Sequence, residues 1–203
     1  FPRGPGSLVG EEAGGGDPPE EGGDFGALFT ELLRGMADQR WADLKARAEG
    51  LVARARADGD AGEIASARHL LAFFANYAGD LALAEAHFAD VLPAEVQTAP
   101  ERLVRLYNGP PKVVELAYRG LTALRRGHTS EAEWAEAEAR RQARRYGAPN
   151  LLAYVLTLSA GFRRYCGEPG VVLAHAREVA EISREEGLWA TRVISLGYRQ
   201  WAK

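Results

Sequence analysis

The stretch "HTSEAEWAEAEARR", residues 128–141, sets a histidine, two hydroxyls, four glutamates and two arginines in one short run. Carboxylates beside a histidine are the residue types of general acid–base catalysis, and with further ligands they could hold a metal ion. The order of the charges argues for something simpler. Glu131, Glu133, Glu136 and Glu138 come first, then Arg140, Arg141, Arg144 and Arg145. That order complements the dipole at both ends of a helix, each charge contributing about 0.3–1 kcal/mol. Glu136 and Arg140 stand at i, i+4 in the favourable polarity. Ser130 is expected to cap the helix, with Glu133 completing a capping box. Ala132, Ala135, Ala139 and Ala143 form a narrow face that lets a partner helix come close. The stretch reads as the second helix of a hairpin.

No other segment carries a stronger chemical signal. His69, His87, His128 and His175 are far apart, and there is neither an HExxH nor a Cys–His cluster, so no metal site is expected. Cys166 is the only cysteine, which excludes an intramolecular disulfide, and it reads as structural because no base is paired with it in sequence. No GxxxxGK[ST] loop and no GxSxG elbow occurs. No catalytic residue is assigned, no cofactor is expected, and the chain reads as non-enzymatic. The arginine pairs 125–126, 140–141, 144–145 and 163–164 have glutamates nearby and read as a solvated face.

The elements that carry these residues are helical. Residues 1–23 hold Glu11, Glu12, Asp17, Glu20 and Glu21 against Arg3 and are dominated by glycine and proline. They read as a flexible acidic linker, or a tail left by cloning, ahead of a domain over 24–203. With a net charge of −3 for the whole chain, that domain is nearly neutral, which gives little support to nucleic-acid binding. No apolar run approaches the roughly 20 residues that span a bilayer, so no membrane partner is expected. A lone cysteine fits the reducing cytoplasm. Breaks rich in glycine and proline divide the domain into helices near 25–37, 40–57, 61–78, 80–92, 110–126, 130–146, 150–166, 169–186 and 188–202. A short extra turn is expected from Thr98, where Thr98 and Glu101 suit a capping box. Gly79, Gly127 and Gly167 fall 48 and then 40 residues apart, each between two helices. This is the pattern of stacked hairpins that cannot bury their apolar faces alone.

Around Gly127 the hairpin resembles a tetratricopeptide (TPR) repeat. Gly120 falls at the small position of its first helix, and Ala132 and Ala139 at those of its second. Ala72, Ala84 and Phe88 take the corresponding places around Gly79, and the match around Gly167 is looser. The segments "YAGDLALAEAHF", "LYNGPPKVVELAYRGLTALRRGHTSEA" and "EEGLWATRVISLGYRQWA" resemble the helical-repeat region behind the ATPase of bacterial cyclase–ATPase–TPR signalling proteins, which belong to the STAND ATPases. The resemblance implies an all-α, right-handed solenoid of TPR-like hairpins. It also implies a non-catalytic module that binds a protein or peptide partner, or senses an effector, in its concave groove. The alternative is the small-molecule-sensing repeat domain of a transcription regulator. Matching first-helix positions place His69, Phe73, Asn76, Leu121, Tyr154, Thr157 and Arg164 on the concave face. Residues 188–202 form an end helix with more apolar surface than one neighbour can bury, so Trp189 and Trp201 are expected to meet another copy of the chain or another domain.

Overall fold

Glycine and proline decide where the helices break. The computed structural model describes the backbone over residues 23–94 and 101–203, and side chains over 25–88 and 101–203. Every regular element among the described residues is helical. The helices are α1 (Gly23–Gly35), α2 (Trp41–Asp58), α3 (Ala61–Ala78), α4 (Leu81–Ala94), α5 (Glu101–Tyr107), α6 (Pro111–Arg125), α7 (Thr129–Tyr146), α8 (Pro149–Tyr165), α9 (Pro169–Glu185) and α10 (Trp189–Trp201). A single 3₁₀ turn, Met36–Asp38, follows α1. The long helices lie within two residues of the bounds read from the sequence. Thr98 lies outside the described residues, and with it the capping box expected before α5. No described helix is long and apolar enough to cross a membrane.

The helices gather into two compact units that divide between residues 100 and 101. In the first, α2 packs on α3, α3 on α4, and α1 on α2. Leu44, Leu51, Leu70, Phe74 and Phe88 are buried there. Lys45 of α2 donates to Asp80 at the α3–α4 turn over 3.0 Å, which ties the hairpin back to the preceding helix. That bond raises the Lys45 pKa and lowers that of Asp80.

In the second unit α6 pairs with α7 and α8 with α9, while α10 packs on α9 and also touches α8. α5 lies against α6 and α8. Gly127, Gly147, Gly167 and Gly187 all have positive φ, between 70° and 85°, and each of α7 to α10 starts two residues later. The unit therefore repeats every 20 residues per helix and 40 per hairpin. Within each hairpin the turn closes the same way: the amide after the glycine donates back to a carbonyl of the last helical turn, His128 to Ala123 at 2.9 Å and Glu168 to Arg163 at 3.1 Å. This left-handed glycine closure satisfies end carbonyls that would otherwise be orphaned.

The same closure corrects one expectation. Because the turn ends at His128, helix α7 starts at Thr129 with His128 at the cap position and no side-chain cap. Ser130 is already inside the first turn, and Glu133 reaches a neighbouring helix instead of its own N-terminus. The small-residue face does what its spacing predicts. Ala132, Ala135, Ala139 and Ala143 are fully buried. A Cβ on Gly120 would stand 3.1 Å from both the Ala132 carbonyl oxygen and the Glu136 amide nitrogen. Backbone meets backbone there, and a side chain would make the two helices give way by a few tenths of an ångström.

Candidate functional site

Beside that alanine face lies a buried polar seam joining α7, α8 and α9. Glu136 of α7, only 3% exposed, is its centre. Arg140 donates to it from one turn on, over 2.6 Å through Nε. Arg163 of α8 donates through Nη2 over 2.7 Å, and the Ser159 hydroxyl also donates to it. Arg163 reaches Glu133 at 2.8 Å and Glu168, at the start of α9, at 3.3 Å. Its Nε is buried and finds no acceptor among the described residues. A second strut stands beside the first: Arg144 of α7 forks onto Glu178 of α9 at 2.6 and 2.9 Å.

Burial alone would raise the Glu136 carboxyl pKa, but the bonds from Arg140, Ser159 and Arg163 outweigh it and hold the group below the usual carboxylate range. Burial would likewise weaken the charge on Arg163, and the facing Glu136 and Glu133 carboxylates reverse that. His175 of α9 lies 3.1 Å from the Ser159 oxygen through Nδ1. Burial pushes its pKa down, and the positive charge of Arg140 adds to the shift. The imidazole is therefore neutral.

Serine, carboxylate and imidazole together invite comparison with a hydrolytic triad, in which the imidazole sits between serine and acid. Here the serine sits between the other two. An ionised carboxylate can only accept, so the Ser159 proton goes to Glu136 and His175 Nδ1 must donate to Ser159. An imidazole that donates to a hydroxyl cannot draw its proton away. The cluster fastens three helices together and does not activate a nucleophile. Nearby, carboxylate oxygens of Glu133 and Glu168 and the Cys166 sulfur lie within 4.8 Å of one another. Arg163 holds both carboxylates and puts fixed positive charge where a cation would need to sit. Burial and the Glu133 and Glu168 charges raise the Cys166 pKa, which keeps this exposed thiol protonated.

The residues expected on a common concave face are not equally accessible. His69, Phe73 and Asn76 are buried. His69 packs edge-on to Phe88, and Phe73 packs among Trp41, Phe74 and Tyr77. They are interior side chains, closed to a partner in this structure. Tyr154 is half-buried, with its hydroxyl 2.7 Å from that of Tyr118 and its ring against Tyr107 of α5. Thr157 is buried and donates to the Ala153 carbonyl. Leu121 is half-buried and Arg164 exposed. In the second unit α5 therefore covers part of the surface the first helices were expected to leave open. The arginines expected on a solvated face divide similarly: Arg163 is an interior cross-link, with a side chain only 12% exposed, whereas Arg164 is outside.

Helix α10 is inverted. Its buried residues are Thr191 and Ser195, and Thr191 bonds Ser183 of α9 at 2.8 Å. Tyr198 lies against α8 at Gly161, where an added Cβ would meet its hydroxyl at 2.9 Å. Trp189, Val193, Ile194, Leu196 and Trp201 are exposed, Trp189 and Leu196 to 54%. At 100° per residue these five fall within an arc of about 160° on the side away from Thr191 and Ser195, which also holds Ala190, Gly197 and, near its C-terminal end, Gln200. No protein-family model and no characterised protein matches this chain.

Proposed function

We propose that this chain is a non-catalytic interaction module, a right-handed array of TPR-like hairpins that holds a protein partner for a larger bacterial signalling ATPase in the cytoplasm. The exposed apolar face of α10 carries the reading. An exposed apolar strip with two tryptophans is a kind of surface that soluble monomers rarely keep and that marks interaction sites. The helices behind it form a rigid support, fastened by the Glu136 seam and by the close approach of α6 to α7. The acid–base groups that could suggest an enzyme are engaged with one another inside that support.

The test is photo-crosslinking from a benzophenone amino acid in cells that carry the chain. Placed at Val193 it should give a discrete heavier adduct, which a second change, Leu196→Glu, removes. Placed at Ala137 on the exposed side of α7 it should give none. Equal adducts from both positions, or none from Val193, would overturn the proposal.

A further inference from the structure

The borders of the α10 strip say what kind of partner fits it. From Leu188 to Lys203 the sequence has three cations, Arg192, Arg199 and Lys203, and no acidic residue. Their spacing, i, i+7 and i+11, puts all three along one long edge of the apolar arc, with the two arginines about 10 Å apart along the axis. Among the described residues none of the three holds an ion pair. This is unlike α7, where Arg140, Arg141 and Arg144 each hold a carboxylate. The opposite edge of the arc lies against α8 through Tyr198. The surface is thus an apolar strip with a basic rail on its open side.

We propose that this face takes an amphipathic helix of another protein whose apolar side is bordered by carboxylates, laid along α10 so that the acids meet Arg192, Arg199 and Lys203. The proposal rests on the interaction-module reading and adds the chemistry of the partner. Such a helix supplies both what the strip lacks, apolar cover, and what the rail lacks, counter-charge. A second copy of this chain fits less well. Two α10 helices paired antiparallel about a two-fold axis would set each basic edge against itself. A lipid surface also fits less well, because an interfacial helix meets anionic headgroups with cations on both borders, and here one border is occupied by α8.

Two helix-stapled peptides, each about 16 residues long, sharing one Leu/Ile face and bordered by glutamate or by lysine, test this on the full chain. Anisotropy of the labelled peptides reads binding. The glutamate peptide should bind at least about tenfold more tightly at low salt, and added salt should narrow the gap. The double change Arg192→Glu/Arg199→Glu should reverse the preference, and Leu196→Glu should abolish binding. All of these positions are exposed, so the variants keep the fold. Equal binding of the two peptides, binding of neither, or a preference that survives the charge reversal overturns the proposal. So does dimerisation of the chain that Leu196→Glu removes, or tighter binding to vesicles of acidic phospholipid than to the glutamate peptide. If the Val193 adduct forms while the peptides bind alike, the interaction reading stands and only the partner's charge falls. If neither is seen, both fall.

Discussion

Helices α7 and α10 use opposite sides of the same chemistry. α7 buries a glutamate and leaves Trp134 56% exposed, and α10 buries a serine and a threonine and leaves two tryptophans outside. The difference is one of neighbours. α7 packs against both α6 and α8, and at Gly120 the α6 backbone comes within close reach of the α7 backbone at Ala132 and Glu136. A carboxylate can be tolerated at the edge of such a contact because α8 and α9 supply Arg163, Ser159 and His175 around it. Among the described helices α10 packs mainly on α9, with further contact to α8 through Tyr198, along a face of small and hydroxylated residues, and Trp189, Val193, Ile194, Leu196 and Trp201 are left exposed. Which residues are inside thus follows from where a helix sits among its neighbours, and composition alone does not decide it.

The sharpest way to break the comparison is to remove the buried acid. Glu136→Ala leaves Arg163 inside facing only Glu133 and Glu168, and deprives Arg140 and Ser159 of their acceptor. Breaking a buried pair from one side costs about 3–5 kcal/mol, and because Arg140 is partly exposed the lower figure applies. The urea midpoint should fall accordingly. A loss below about 1 kcal/mol, the net worth of an ordinary hydrogen bond, would mean that the seam does not hold the helices together.

The second strain point is Gly120. Gly120→Val would push two methyl groups toward the Ala132 carbonyl and the Glu136 amide, atoms that cannot rotate aside. Overpacking of this kind costs about 1–3 kcal/mol, so the melting temperature should drop. Gly197, with open space around its Cβ position, gives the control. An equal effect at both positions would mean that helix propensity, and not the close approach, explains the result.

Much of this fold was legible in the sequence. The left-handed glycines end helices where their spacing placed them, the alanine face is buried, and the Glu136–Arg140 pair was visible as an i, i+4 match. The 20-residue repeat was also written in the chain, since Gly147 and Gly187 stand midway between and after the hairpin glycines. The hairpin glycines alone, 48 and then 40 residues apart, do not display it. The seam itself was harder to see. Glu136 sits one turn after Ala132, inside the alanine stripe, which marked it as facing inward. Nothing local, however, ties it to Arg163 or His175, whose distance in sequence is bridged only when α8 and α9 fold back. The same non-local packing made His69, Phe73 and Asn76 interior, because helical register gives a direction but does not say which element fills it.

A smaller effect separates the two regions by pH. The folded state holds His175 neutral, with a pKa below the free value of about 6.5, so between the two values the unfolded chain binds more protons. Stability contributed by this group is therefore present above about pH 6.5 and is lost as pH falls below it. The groups that face it, Ser159, Glu136, Glu178, Arg140 and Arg163, lie in the seam. Glu136 contributes in the same sense at lower pH, since its depressed pKa gives stability that is lost only on going below about 4.3. His175→Asn should flatten the loss of stability between pH 7 and 5.5, an effect of about 1.4 kcal/mol per pKa unit. An unchanged slope in urea titrations at the two pH values would remove His175 as the cause.

The smallest expected effect lies on α10, and its smallness is what the comparison asks for. Leu196 is as exposed as Trp189, so Leu196→Glu removes little burial and adds a charge that water can solvate. Exposed substitutions away from special features change stability by no more than about 0.5 kcal/mol. The new carboxylate also lies beside Arg192 and Arg199, where surface attraction is worth about 0–1 kcal/mol. Ala139→Glu, the same charge on the buried face of α7, should by contrast be among the most damaging single changes in the chain, because it has neither room nor a free partner. Measured side by side, the two variants should differ by at least about 2 kcal/mol. If Leu196→Glu also unfolds the protein, the apolar strip of α10 is part of the fold's own core, and the reading of that helix as an open surface fails.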